Sequence, residues 1–489
     1  MQQRSFLSPP TEKAFDAIGR KAAPRFELGI KDLQSSALPL GHAAIRGAAL
    51  PSADRISEGA AIPAGSGSLL VLSNGHGEDL IALRILEALH RLCPGLRLRV
   101  LPMVGTGATF TAAEQAGWIE RVGPPAALPS GGFSNQSLRG LLADLSSGLA
   151  LLSWRQWRCL RRERKRVDAV LAVGDLLPLL MAWGAGRPFG FVGTPKSDYT
   201  WRSGPGRSAS DRYHRLKGSE WDPWEWLLMR SRRCRLVAMR DRITARGLQR
   251  HRVRAEAPGN PMMDGFRATP VPAALERCRR ILLLCGSRMP EALRNAERLL
   301  QALEGWPSPV PIALLMATGS QPEQQPLAAL LTRLGYRPCP PPADALGASA
   351  CWVNGVQLLL LGRGRFQDWA SWAEVGLATA GTATEQLVGL GVPSLSLPGP
   401  GPQFTRAFAT RQSRLLGGAV RSCRNAADLR QHLAALLESA RLREELGRIG
   451  RQRMGPPGGS AALAQRIQQQ LITDTERSPS ARHGRDSGP

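Results

Sequence analysis

Lysine is nearly missing from this strongly basic chain. Of 64 basic residues among 489, only Lys13, Lys21, Lys31, Lys165, Lys196 and Lys217 are lysine, so arginine carries almost all of a formal charge of +25. A field that positive attracts phosphorylated substrates, anionic lipid or nucleic acid. No uncharged apolar run reaches the roughly 18–20 residues needed to cross a bilayer. No signal-peptide core opens the chain. The expectation is a cytoplasmic protein, soluble or peripheral on the cytoplasmic face of a membrane. The eight cysteines form no CxxC and no Cys/His cluster, which suits reduced thiols without structural zinc. Metal-ligand spacings, a Walker lysine and a nucleophile elbow are missing as well, so no cofactor and no catalytic metal are expected. Without a helix-turn-helix, zinc-finger or RNA-module signature, no nucleic-acid partner is expected either.

What is present is an alternation of short apolar strands and helices, the pattern of α/β layers with parallel sheets. Residues 1–66 are rich in Ser, Pro, Gly and Ala without a sustained period and read as a disordered extension. A first doubly wound domain is expected over 67–257, a Pro/Gly-rich linker over 258–276, a second domain over 277–472 and a disordered tail over 473–489. Two open α/β domains place a cleft between the carboxyl ends of their sheets, where such sheets bind ligands.

The stretch "SNGHGED" follows the first strand directly and leads into a helix. Asn74, Gly75, Gly77 and Glu78 would form an acceptor-side loop, with the glycines allowing a tight turn and close ligand approach. His76 could serve as a general base near neutral pH. The plainer alternative is a polar turn whose acids, Glu78 and Asp79, offset the helix dipole. Asp175, at the end of the strand "VDAVLAVG", is a second candidate base or else a helix cap.

In the second half, "CGSR" puts Gly286, Ser287 and Arg288 just after a strand, where an arginine fork suits a diphosphate. "GTATEQ" sets Gly381, Thr382, Ala383 and Thr384 at a helix N-terminus, a ready phosphate seat. Glu385 or Gln386 follows within one turn, where a ribose would lie, and Gln403 closes a second loop. A Gly/Pro-rich connector is the alternative for each loop separately. "WRQWRCLRRERKR" combines Trp154 and Trp157, three residues apart, with Arg155, Arg158, Arg161 and Arg162. Such basic helices with interfacial Trp read as a membrane-surface patch against anionic lipid.

The order of "SNGHGEDL", "GNPMMD", "CGSRMPE" and "AGTATEQLVGLGVP" resembles the lipid-A-disaccharide synthase family. More closely, together with "FVGTPKSDY", "WDPWEW" and "GPQFTRAFATRQSRLLG", it resembles the cyanobacterial synthase-related group. The similarity runs over about residues 68–420. It implies a GT-B fold, in which an acceptor domain and a nucleotide-sugar domain, both Rossmann-like, face each other. It also implies a hexosyltransferase using a nucleoside diphosphate donor, UDP-linked, and a lipid-linked or membrane-proximal acceptor. Gly286, Ser287 and Arg288 would then meet the diphosphate, and residues 381–384 would line the same pocket. This chain departs from the synthase pattern in carrying Gln386 where the family has an acid, and in keeping only Asp175 of a paired-Asp strand end. An epimerase of the same fold and a non-catalytic binding protein are the alternatives.

Overall fold

The computed structural model describes residues 67–123, 149–203, 209–342, 347–399 and 404–473. The extension over 1–66, Gln403 and the tail from 474 lie outside these residues.

The first sheet comprises β1 (Ser68–Ser73), β2 (Arg97–Pro102), β3 (Ile119–Arg121), β4 (Ala169–Gly174), β5 (Phe189–Gly193), β6 (Cys234–Met239) and β7 (Ala255–Glu256). All pairs are parallel, in the order β3-β2-β1-β4-β5-β6-β7. Chain order reverses between β1 and β4, and a crevice opens where the connections leave to opposite sides. Along β1, Leu69 and Val71 face one core layer while Leu70 and Leu72 face the other. Burial on both faces is why the strand reads as an unbroken apolar run.

The second sheet comprises β8 (Arg279–Leu284), β9 (Ile312–Thr318), β10 (Arg337–Cys339), β11 (Ala350–Asn354), β12 (Gln357–Arg363), β13 (Val375–Ala378), β14 (Ser394–Ser396) and β15 (Val420–Ser422). Its order is β10-β11-β12-β9-β8-β13-β14-β15, with a switch point between β8 and β13. Parallel pairing is predicted throughout, but β10-β11-β12 is an antiparallel edge. The hairpin between β11 and β12 turns at Gly355, with φ +55°. Apolar runs of this length do not encode strand direction.

Nine helices position the surfaces described below. In the first half they are α1 (His76–Leu92), α2 (Leu149–Glu163), α3 (Leu176–Gly184), α4 (Ala209–Lys217) and α5 (Pro223–Met229). In the second half they are α6 (Glu291–Ala302), α7 (Thr382–Gly389), α8 (Ala440–Met454) and α9 (Gly459–Ile467).

The C-terminal helical region, read from sequence as part of the second domain, crosses back to the first. Leu463, Ala464, Ile467, Leu471 and Ile472 share a core with Leu69, Ile85 and Leu89. The linker is built in rather than loose. Met262 and Met263 are buried beside Val388 and Met454, and Asn260 Nδ2 donates to the Met454 carbonyl at 3.1 Å. Gly459 lies so close to Asn260 that a Cβ there would come within 2.6 Å of its backbone nitrogen. Both units are thereby fixed across one shared seam.

Candidate active site at the interdomain cleft

The switch point of the first sheet brings Asn74, after β1, beside Asp175, after β4. Gly75 has φ +115° and ψ −177°, a backbone region essentially confined to glycine. It precedes α1 and, as glycine, supplies no side-chain cap, while the Glu78 and Asp79 carboxylates take the backbone N–H groups of Glu78 and Gly75. His76 is the first helical residue, and its side chain lies outside the described set. Asp79 is buried and accepts a hydrogen bond from the Ser73 hydroxyl. Burial raises its pKa to about 6 against that hydrogen bond and the Gly75 backbone. Asp79 therefore closes the loop from beneath.

Glu78 faces the crevice. Its Oε1 accepts from Thr194 Oγ1 at 3.5 Å. Gly174, with φ +136°, leaves room for it: a Cβ there would lie 3.5 Å from Glu78 Cγ and 3.0 Å from Asn74 Cβ. Desolvation pushes the Glu78 carboxyl up to about 8, a backbone hydrogen bond opposes it, and the charges of Asp175 and Asp79 add to it. Asp175 caps α3 by accepting from Leu177 N at 3.2 Å, and it also accepts from Asn74 Nδ2 at 2.8 Å. The cap and the cleft position are thus one arrangement. Burial raises its pKa, while Leu177 N–H and the Lys196 charge lower it. Lys196 is itself held by both oxygens of Glu225, at 2.8 and 2.7 Å.

On the opposite wall, Gly286 (φ +88°) turns the chain after β8, 3.6 Å from the Thr379 carbonyl by its Cβ direction. Ser287 and Arg288 follow. Burial lowers the Arg288 pKa, and the Glu291 charge opposes that. Gly381 and Thr382 open α7, again without a side-chain cap. Gln412 Nε2 pins that turn by donating to the Ala380 and Gly381 carbonyls, at 3.2 Å each. The two helix mouths meet across the cleft: a Cβ on Gly77 would come 3.0 Å from Thr382 Oγ1.

Several residues read from sequence as donor ligands make contacts within the protein. Thr384 Oγ1 donates to the Ala380 carbonyl at 2.7 Å. Ala383 packs on the second core. Gln386 is turned away from the cleft, buried, with Nε2 donating to the Met262 carbonyl at 3.0 Å. Glu385 is engaged by Arg240 Nη2 at 2.7 Å. In α2, Trp154 and Trp157 do not share an exposed face. Trp154 is exposed beneath Arg158, 4.7 Å from its ring, whereas Trp157 packs inward on Gly184. Arg155, Arg158, Arg161 and Arg162 are exposed.

Thr194, Lys196 and Arg240 were missed from sequence. Their signal was position: "TPK" follows β5 and Arg240 follows β6, on the side of the sheet beyond β4. Among the described residues, no group of three or more His, Cys, Asp and Glu is placed to hold a metal ion. No helix among them is long and apolar enough to cross a membrane.

No protein-family model matches the chain, and no curated protein matches it. Solved structures do. Medicago truncatula UGT71G1 complexed with UDP-glucose is 13% identical with a TM-score of 0.52, covering 84% of this chain and 98% of its own. A putative UDP-N-acetylglucosamine 2-epimerase from Listeria monocytogenes is 13% identical with a TM-score of 0.50 over 84% and 98%. The S. aureus MnaA-UDP co-structure is 13% identical with a TM-score of 0.50 over 82% and 96%. At such identities the likeness speaks for the fold, which is GT-B: two Rossmann-like sheets facing across a cleft.

Proposed function

We propose that this chain is a glycosyltransferase that moves a sugar from a uridine diphosphate donor to a hydroxyl of a lipid-linked or membrane-proximal acceptor. The observation that carries this reading is the meeting of two uncapped helix mouths, at Gly77 and Thr382, beside the Glu78–Asp175 carboxyl pair. Two positive helix ends that meet favour an anion at their common rim, and a diphosphate supplies one. The UDP and UDP-glucose named for two similar structures support a uridine donor.

In this scheme the second unit, from residue 277, binds the donor, with Gly286, Ser287, Gly381 and Thr382 against the diphosphate. Arg288 and the α7 mouth stabilise the leaving diphosphate as its negative charge grows. The first unit, residues 67–257, holds the acceptor. Glu78, its pKa raised toward neutrality and above, to about 8, takes the acceptor proton. Asp175 holds Asn74 and shapes the pocket. His76, at the same helix mouth, is the second candidate for the proton, and His76→Ala against Glu78→Gln separates the two.

The carboxyl pair also suits an epimerase, in which acids guide a water or proton at the sugar without an acceptor. Thermal-shift measurement across UDP-sugars, followed by product analysis with and without acceptor, tests these readings. A raised melting temperature with a UDP-sugar and acceptor-dependent transfer support the transferase. Conversion of the donor sugar without an acceptor identifies the epimerase. No response to any UDP-sugar overturns both in favour of a non-catalytic binding protein.

A further inference from the structure

Helix α3, capped by Asp175 in the cleft, runs outward along the first unit. It packs beside α5 through Leu179, Met181, Trp226 and Met229, all buried in one core. Among the described residues, the outer face of this pair is apolar and exposed. Leu180 is 46% exposed, Trp183 41%, Trp224 52% and Leu227 65%. Each pair lies three residues apart on its helix and so shares one face. At the near edge, Tyr213 of α4 donates to Asp222 at the start of α5, at 3.1 Å, and the neighbouring Leu216 is 89% exposed. At the far edge, Trp157 locks α2 onto Gly184 and leaves Trp154 at the rim.

The charge around this face is basic apart from Asp222, which Lys196 and Lys217 pair. Arg230 and Arg232 are exposed beyond α5, and the Arg233 guanidinium lies 5.7 Å from the Trp183 ring. Four exposed arginines, Arg155, Arg158, Arg161 and Arg162, line α2. The acids on these helices are turned in: Glu163 is paired with Arg99, and Glu225 with Lys196. Among the described residues, α2, α3 and α5 therefore present no exposed acid.

We propose that the outer face of α3 and α5, rimmed by the arginines of α2 and of residues 230–233, docks on an anionic lipid bilayer. Apolar side chains and Trp enter the headgroup boundary while the basic rim meets anionic lipid. A second copy of the chain is a poorer occupant. A two-fold contact would set the same arginine rim against itself. Leu180 lies five residues beyond Asp175, about 7.5 Å along the helix axis at 1.5 Å per residue. A bilayer docked here would bring an acceptor headgroup to the mouth of the cleft. That last step rests on the transferase reading, whereas the docking does not.

The test is sedimentation of the full chain with vesicles of phosphatidylglycerol and phosphatidylcholine, against phosphatidylcholine alone, without any nucleotide sugar. Wild type should bind the anionic vesicles at least tenfold better, and less as salt rises. The Leu180→Ser/Trp183→Ser/Trp224→Ser/Leu227→Ser variant should lose at least tenfold of that binding. Trp224→Ser/Leu227→Ser alone should lose several-fold, and serves if the fourfold variant does not fold. Val356→Ser, at an equally exposed apolar site on the second unit, should bind as wild type. Wild type that ignores lipid charge overturns the proposal, as do patch variants that bind unchanged. Self-association of wild type that the patch variants abolish also overturns it, in favour of a second copy. Failure of the transferase reading would show instead in the nucleotide-sugar thermal shift, which needs no vesicle.

Discussion

Arg240 and Glu385, 145 residues apart, form a salt bridge of 2.7 Å from the end of β6 in the first unit to α7 in the second. Arg240 is almost wholly buried, and it donates as well to the Thr194 carbonyl at 3.3 Å. It thus ties the strand ends at Thr194 and Arg240 in the first unit to the first turn of α7 in the second. Removing one partner of a buried pair leaves an unpaired charge, which costs roughly 3–5 kcal/mol. Arg240→Met should therefore lower the melting temperature clearly. Adding Glu385→Gln to it should recover much of the loss, because the stranded carboxylate is then gone. A double-mutant cycle read by thermal melting checks this, and additive single effects would remove the coupling.

Glu78 yields a pH prediction whose sign follows from its raised pKa. In the unfolded chain the group ionises near its ordinary 4.5, in the folded protein near 8. Between those values the folded state holds a proton that the unfolded state has released, so stability falls as pH rises. Asp79 at about 6 and Asp198 at about 7 add to the same slope. The melting temperature should decline from pH 5 to pH 8. Glu78→Gln, which keeps an acceptor for Thr194 without a charge, should flatten that decline and be the more stable protein at pH 8. The same variant should lower kcat by about 10²–10⁴-fold if Glu78 takes the proton. Melting curves across pH, together with kcat at one pH, separate the two effects.

The sheets and the glycine loop were legible because they depend on local order along the chain. A strand buried on both faces is an apolar run whatever its partners, and "SNGHGED" lies between such a run and a helix. The ties that complete the site were not legible. Thr194 meets Glu78 across 116 residues, and Arg240 reaches Glu385 only because the second unit folds back against the first. Helical spacing also misled at Trp154 and Trp157. A three-residue interval puts them on one side of the helix, and only the position of Gly184 decides that Trp157 turns inward while Trp154 stays exposed.

Gln386 shows how a motif position can be structural. An acid is expected there from the synthase pattern, yet the side chain is buried and its amide donates to the Met262 carbonyl. Gln386→Glu would replace that donor with a carboxylate oxygen facing a carbonyl oxygen. Losing a buried hydrogen bond and leaving its partner unsatisfied costs about 1–3 kcal/mol, more with a charge. The variant should melt well below wild type while the affinity of the folded protein for a UDP-sugar stays within a few-fold. A large loss of donor affinity without loss of stability would return Gln386 to the donor site.

The two glycines around His76 should fail in different ways. At Gly75 the backbone, with φ +115°, is strained for any side chain even though the nearest atom to a Cβ, Glu78 Oε2, is 3.9 Å away. Such a residue outside its allowed region costs of order 1–3 kcal/mol, so Gly75→Ala should lower the melting temperature. Gly77 lies within α1, where alanine is the better helix former by about 1 kcal/mol. The new methyl, however, would press on Thr382 Oγ1 at 3.0 Å. Gly77→Ala should therefore change the melting temperature little, because helix propensity offsets the tight contact, yet bind UDP-sugar at least tenfold more weakly, because Thr382 is displaced at the rim the two helix mouths would offer to a diphosphate. Calorimetric titration beside a melting curve reads both quantities. If Gly77→Ala binds the donor as wild type does, the anion seat does not lie between these helices.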